Sequence, residues 1–204
     1  MDARHPADSL AAKTALRDQV LAARRHRPLA AASDFAASVA RVALAWPPVR
    51  DAATVAAYVS VGSEPGTGLL LDALVAAGKR VVVPVLRSDN DLDWGLYVGA
   101  DSLRKAARGL FEPVGARLGV EAVGAADVVL VPGLAASVTG DRLGRGGGSY
   151  DRALARVPVG TPVAVVLYDD EVGLAVPAEP HDVRVGFALT SRGVVALLES
   201  PDIR

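Results

Sequence analysis

Apolar positions along this chain follow two periods. Between residues 8 and 25, Leu16, Val20 and Ala23 recur at helical spacing, with Asp8 or Ser9 placed to cap the start and Pro28 to end the unit. A second helix is predicted from a cap at Ser33 or Asp34, with Phe35, Val39, Val42 and Trp46 as its inward stripe and Pro47 and Pro48 closing it. The period then changes. Short apolar runs predict strands at residues 54–59, 80–85, 92–98, 127–131, 162–167 and 183–189, with an apolar tail at 194–198. Between them, a helix over 68–77 is capped by Thr67 and stopped by Gly78, and another lies near 150–156. Residues 102–108 read as a short helix or loop, and 109–113 as a structured corner. Strands alternating with helices predict an α/β fold, with layered helices around a mainly parallel sheet. Ligands in such sheets collect beyond the carboxyl ends of the strands, so the loop carrying Glu64 and the loop over 133–148 are expected on one rim.

Composition narrows this picture. The 204 residues suggest a single domain over 1–204, and no repeat or linker divides them. A hydrophobic fraction of 51%, rich in alanine and valine, describes a folded chain with small, tightly packed layers. A formal charge of −1 gives no broad field for nucleic acid or a membrane surface, so any basic site is local. No cysteine is present, which removes disulfide scaffolds, thiol catalysis and cysteine-based zinc sites. The N-terminus lacks a secretory apolar core and no run approaches the length of a spanning helix, so a cytoplasmic location is expected.

The densest chemistry lies at residues 140–152, G-D-R-L-G-R-G-G-G-S-Y-D-R. An apolar strand precedes it and a helix start follows. Glycine lets backbone N–H groups approach a ligand, and a loop opening into a helix N-terminus seats phosphate oxygens. Arginine adds forked donors for the same oxygens, and Asp151 is placed to serve a magnesium ion accompanying a polyphosphate. The plainer alternative is a flexible turn. Neither the P-loop pattern nor G-x-G-x-x-G is satisfied, since Ser149 stands where the third glycine belongs.

Other candidates are ambiguous one by one. Lys13 and Arg17 share a helix face, which describes a solvated charge run as readily as a site, and Arg24 and Arg25 read as solvated. Glu64 is a turn acid or a ligand. Asp151 is a helix-start acid or a metal ligand, and His181-Asp182 is surface polarity or half of a metal site. The three histidines show no zinc spacing, and Ser149 lacks a nucleophile elbow. Trp46 and Trp94 read as core residues, although Trp94 is also placed to edge a pocket for a flat ring.

Taken together, the pieces resemble the 5-formyltetrahydrofolate cyclo-ligase family. The resemblance runs through Lys13-x-x-Leu16-Arg17, Tyr58-Val59-Ser60-x-x-x-Glu64-x-x-Thr67, Gly78-Lys79-x-Val81-x-x-Pro84 and Gly109-x-x-Glu112-Pro113. It continues through Asp127-x-x-x-Val131-Pro132-Gly133-Leu134, then Gly140-x-Arg142-Leu143-Gly144-x-Gly146-x-Gly148-x-Tyr150-Asp151-Arg152, and ends in His181-Asp182-Val183. It implies a sugar-phosphate-isomerase-like architecture and an enzyme that uses ATP and magnesium to convert 5-formyltetrahydrofolate into 5,10-methenyltetrahydrofolate. By the same resemblance, ATP would be held by Lys13, Arg17, Arg142, Leu143, Gly144, Arg145, Gly146, Gly147, Gly148, Ser149 and Tyr150, with Lys13, Arg17 and Arg142 as the catalytic cations. Glu64, Val61, Arg145, Gly147, Gly148 and Ser149 would meet the folate, and Asp151 and Asp182 the magnesium. The family usually carries a second tyrosine where Ser149 stands here. A phosphorylated formyl group is the implied intermediate, and a monomer is expected. The alternatives are a nucleotide- or phosphate-binding regulatory paralogue without turnover, suggested by Ser149, and a sugar-phosphate isomerase.

Overall fold

The computed structural model describes residues 6–197. In chain order its strands are β1 (Thr54–Ala56), β2 (Arg80–Leu86), β3 (Leu92–Tyr97), β4 (Leu103–Lys105), β5 (Phe111–Pro113), β6 (Val128–Pro132), β7 (Ala135–Ala136), β8 (Arg142–Leu143), β9 (Val163–Val166), β10 (Phe187–Leu189) and β11 (Val194–Ala196). The α-helices are α1 (Pro6–Arg25), α2 (Leu29–Ala45), α3 (Pro47–Asp51), α4 (Gly68–Ala76) and α5 (Ser149–Leu154). Seven strands form one sheet in the order β11-β10-β9-β6-β1-β2-β3. Its five central strands are parallel, and an antiparallel strand closes each edge.

The valine runs become strands because both sheet faces are covered, as parallel sheets require. On one face, Phe35 and Val39 of α2 and Leu70 and Leu74 of α4 pack on Val55, Val83 and Leu130. On the other, Ala153 and Leu154 of α5 and Val123 meet Trp94, Val129 and Val131. Trp94 is 1% exposed and belongs to this core, not to a pocket edge. A third cluster seats Val20 of α1 against Leu134 and Leu143, beside the small β7–β8 ladder.

Several local expectations are corrected. α1 begins at Pro6, so Asp8 and Ser9 stand inside it and do not cap it, and Ala23 faces solvent. α2 begins four residues before its expected cap, because the run Leu29–Ala32 is strongly helix-forming and Pro28, with ψ of 141°, supplies the non-helical N-cap. Pro47 and Pro48 close α2 but also open α3, where proline costs no hydrogen bond. Thr67 stands at the N-cap of α4, yet its hydroxyl donates to the Tyr58 carbonyl and accepts from the Ser60 N–H. That crossing diverts the chain after Ala56, leaving β1 three residues long. Residues 103–113 form the β4–β5 hairpin, turned by Arg108 (φ 57°) and Gly109 (φ 74°), in place of the expected helix or loop. β10 starts at Phe187 because Val185 donates its N–H to Gly140 instead of to a neighbouring strand. The helix expected near 150–156 runs from Ser149 to Leu154. Leu198 of the expected tail, and His5, lie outside the described residues. No single described helix is long and apolar enough to cross a bilayer.

Candidate active site

The loops leaving β1, β2 and β6 open on one rim, and with α1 and the segment at 179–182 they enclose a cleft of about 700 Å³. The two loops expected to share a rim do so: Arg145 Nε lies 3.1 Å from Glu64 Oε1.

The glycine-rich loop wraps around arginine side chains. Arg142 is buried; its Nη1 donates to the Pro132 carbonyl (3.2 Å) and its Nη2 to Asp151 Oδ1 (3.0 Å), while its Nε is buried with no hydrogen-bond partner among the described residues. A Cβ on Gly144 would sit 3.0 Å from Arg142 Nη1, and one on Gly148 would sit 3.0 Å from Arg152 Nη1. Gly148 also adopts φ of 65° as it opens α5, a conformation that glycine takes without strain. The glycines at these two positions therefore let guanidinium groups lie against the backbone.

α1 contributes the opposite wall. Lys13 is only 4% exposed, and its Nζ donates to Glu179 Oε2 and Asp182 Oδ2, each at 2.6 Å. Burial works against the ammonium, but its bonds to Asp182 and Glu179 outweigh it and hold Lys13 above its usual range. One turn along, Arg17 donates through Nε to the Gly144 carbonyl (2.9 Å). Two turns beyond, Arg24 is buried and meets Glu171 in a double contact of 2.7 Å per arm, also donating to the Gly133 carbonyl. Its expected solvation is thus corrected: an ion pair with Glu171 and a bond to the base of the glycine loop replace water.

Glu64 is fixed by its own loop, since Oε2 accepts the Val61 N–H at 2.9 Å. Burial raises its pKa, against the opposing pull of that N–H and of Arg145. Tyr150 lies beside Arg142, whose guanidinium is 5.8 Å from its ring centre; burial and the Glu64 carboxylate raise its pKa. Pro84, Leu86 and Leu92, with Leu110 and Phe111 from the β4–β5 hairpin, give this side an apolar wall.

Lys13, Arg17, Val61, Glu64, residues 142–151 and Asp182 all line this one cleft. Sequence reasoning passed over Glu179, a metal-type donor beside Asp182, and gave no site role to the motif residue Tyr58, a buried cleft residue whose hydroxyl has no partner among the described residues. The acid three positions before Asp182 was the available signal for Glu179. His181 lines the cleft and is exposed, with Nε2 3.7 Å from Glu179 Oε2.

This donor set fits a polyphosphate and a hard cation. Arg17 has no carboxylate partner among the described residues, and Arg142 carries the orphaned Nε, so both have capacity for phosphate oxygens. Asp151 Oδ2 and Asp182 Oδ1 accept no hydrogen bond among the described residues, and carboxylate oxygens are the ligands magnesium takes.

A model of the 5-formyltetrahydrofolate cyclo-ligase family matches residues 9–191. A protein named 5-formyltetrahydrofolate cyclo-ligase from Mycolicibacterium smegmatis is 49% identical over 150 residues, covering 71% of this chain and 77% of that one. A protein of the same name from Escherichia coli is 37% identical over 113 residues, covering 54% and 62% of the respective chains. The solved structure of Aquifex aeolicus 5,10-methenyltetrahydrofolate synthetase matches with a TM-score of 0.78 at 26% identity, over 94% of this chain and 96% of that one. The Mycoplasma pneumoniae synthetase shares the fold, with a TM-score of 0.69 at 21% identity, over 88% and 98%.

Proposed function

The chain belongs to the 5-formyltetrahydrofolate cyclo-ligase family, and from that premise we propose that its cleft couples ATP and magnesium to the closure of 5-formyltetrahydrofolate into 5,10-methenyltetrahydrofolate. The observation carrying this reading is the 3.1 Å contact between Arg145 and Glu64. It joins a phosphate-type cradle to a buried carboxylate suited to a pterin, inside one cleft.

A formamide is a poor electrophile, because attack by N10 would expel an oxide-like group. Bound nucleotide would supply the phosphoryl group that makes the formyl oxygen a phosphate leaving group, and Asp151 and Asp182 would hold the magnesium that neutralises its charge. N10 would then attack the formyl carbon to close the five-membered ring, the C–O bond to phosphate breaking and the N10 proton leaving with the phosphate. The chain's own work is placement. Lys13, Arg17 and Arg142 spread positive charge along the phosphate path, and the backbone of residues 144–148 closes around it. The Glu64 carboxylate accepts N–H groups from the pterin edge and so orients N5, with Val61 holding Glu64 in turn. Leu86, Leu92 and Phe111 exclude water from the ring side. Ser149 leaves this side without the aromatic surface of a second tyrosine, so the apolar wall bears more of the folate contact.

The test is to mix protein, magnesium, ATP and 5-formyltetrahydrofolate and follow methenyl absorbance. Product that depends on both ATP and the metal supports the reading. Nucleotide binding without product supports a regulatory paralogue instead.

A further inference from the structure

The segment at 179–182 is a pre-shaped pair of carboxylates around a cation. Asp182 donates its N–H to the Glu179 carbonyl at 3.0 Å, and the Glu179 N–H donates back to Asp182 Oδ2 at 2.7 Å. This closed turn aims both carboxylates at one point, and the Lys13 ammonium occupies it, 2.6 Å from each. The next residue, Val183, directs its N–H at Asp151 Oδ1 (3.4 Å), whose carboxylate is held by Arg142. Lys13 thus sits in the acidic wall of the cleft while Arg17, one turn along α1, reaches the glycine loop. Two cations cannot share one small carboxylate site at low cost, because like charges at contact distance repel strongly where water is excluded.

We propose that Lys13 is a resident counter-ion at the metal site, exchanged when the divalent ion arrives, and that Glu179 is the positioning residue that keeps the released ammonium at the cleft wall. This rests on the reading of Asp182 as a magnesium ligand. In the free enzyme the ammonium neutralises Glu179 and Asp182. When a divalent ion takes Asp182, Lys13 keeps one carboxylate partner, Glu179, and turns its remaining donors toward phosphate oxygen. Electrostatic cost therefore links metal entry to the arrival of Lys13 at the nucleotide.

The probe is manganese chloride without nucleotide, titrated calorimetrically into the whole chain. Lys13→Met should bind manganese roughly tenfold or more tightly than the unaltered protein, because one competing charge is gone. Lys13→Arg, which retains the charge, should bind within about twofold of the original affinity on the same argument. Equal or weaker binding by Lys13→Met overturns the exchange. Asp182→Asn separates the premise: if it binds manganese unchanged, the metal assignment fails, whereas its loss beside an unaltered Lys13→Met defeats the exchange alone.

A second measurement needs no variant at Lys13. The chain has three lysines, at 13, 79 and 105, which peptide mass spectrometry can follow separately during acetic anhydride labelling. Manganese should speed labelling of Lys13 severalfold and leave Lys79 and Lys105 unchanged; an unchanged Lys13 rate refutes displacement. For the positioning role, Glu179→Gln should raise KM for the nucleotide more than it lowers kcat, and Glu179→Asp should restore KM. A fall in kcat alone, or no rescue, rejects it.

Discussion

Arg142 shows why a side chain of one shape is needed at one place. Its planar fork spans the Pro132 carbonyl and the Asp151 carboxylate, with Gly144 leaving room for the guanidinium. A lysine there places one compact charge in place of the planar fork whose separate arms meet the two partners. Arg142→Lys should leave the fold intact and lower turnover by about 10²–10³, the scale lost when a preorganised donor goes, as steady-state kinetics with circular dichroism will measure. Glu64 makes the opposite argument, because its value to the site opposes stability. Burial raises its pKa, so between the ordinary glutamate value and the raised one the folded protein binds more protons than the unfolded chain. The ionised side chain therefore weakens the fold as pH rises through that window. Glu64→Gln should melt higher than the original protein at pH 7 to 8, with the difference fading as pH falls toward the usual glutamate value of about 4.3. The lost pairing with Arg145 offsets little of this gain, since Arg145 is half exposed. Folate affinity should drop in the same variant while nucleotide affinity holds; a parallel loss of both argues against a pterin contact.

α1 is an element whose inward face is charged. Lys13, Arg17 and Arg24, spaced four and seven residues apart, lie along one side and each finds a partner on the sheet rim or its loops. Arg24 anchors the row. Arg24→Met leaves the Glu171 carboxylate buried without its counter-ion and should cost about 3–5 kcal/mol in urea unfolding, and a further Glu171→Leu should recover most of that loss. If the single variant is neutral, the pair is not what seats α1. The shared face of Lys13 and Arg17 was legible from spacing. That the face turns inward was not, because Glu179, Asp182 and Gly144 stand 166, 169 and 127 residues away from their partners. Arg24 was misread for the same reason, its carboxylate lying 147 residues on. The strands, by contrast, were readable because parallel strands buried on both faces leave continuous valine runs. The β4–β5 hairpin left no such trace. Its three-residue strands pair only with each other, and two of the three residues of β4 face water. Helix caps failed at Ser9 and Ser33 because the helices begin earlier, and at Thr67 because its hydroxyl bonds Tyr58 and Ser60 instead of α4.

At the scale of the molecule, the cleft is a meeting point of distant stretches: α1, the loop after β1, the glycine loop, and the turn at 179–182. None of these is held at the rim by the sheet alone. A ligand that touches all of them stabilises the folded state against the unfolded one by its own binding energy, about 2.7 kcal/mol at a hundredfold excess over Kd. For a chain of this size that corresponds to a melting shift of about 5–10 °C. The charge pattern sets an order among ligands. The formal charge of the chain is only −1, yet Glu64, Asp151, Glu179 and Asp182 all face the cleft beside its arginines. A triphosphate without its metal meets these carboxylates directly, whereas the magnesium complex arrives with much of its charge already neutralised. Magnesium-ATP should therefore raise the melting temperature well beyond ATP with a chelator, and adding 5-formyltetrahydrofolate with a non-hydrolysable nucleotide should raise it further, because the folate, in the proposed placement, would close the apolar wall from Leu86 to Phe111 over the same loops. Equal shifts with and without the metal would mean that the carboxylates of the cleft do not serve a divalent ion, and the placement of Asp151 and Asp182 would then need another explanation.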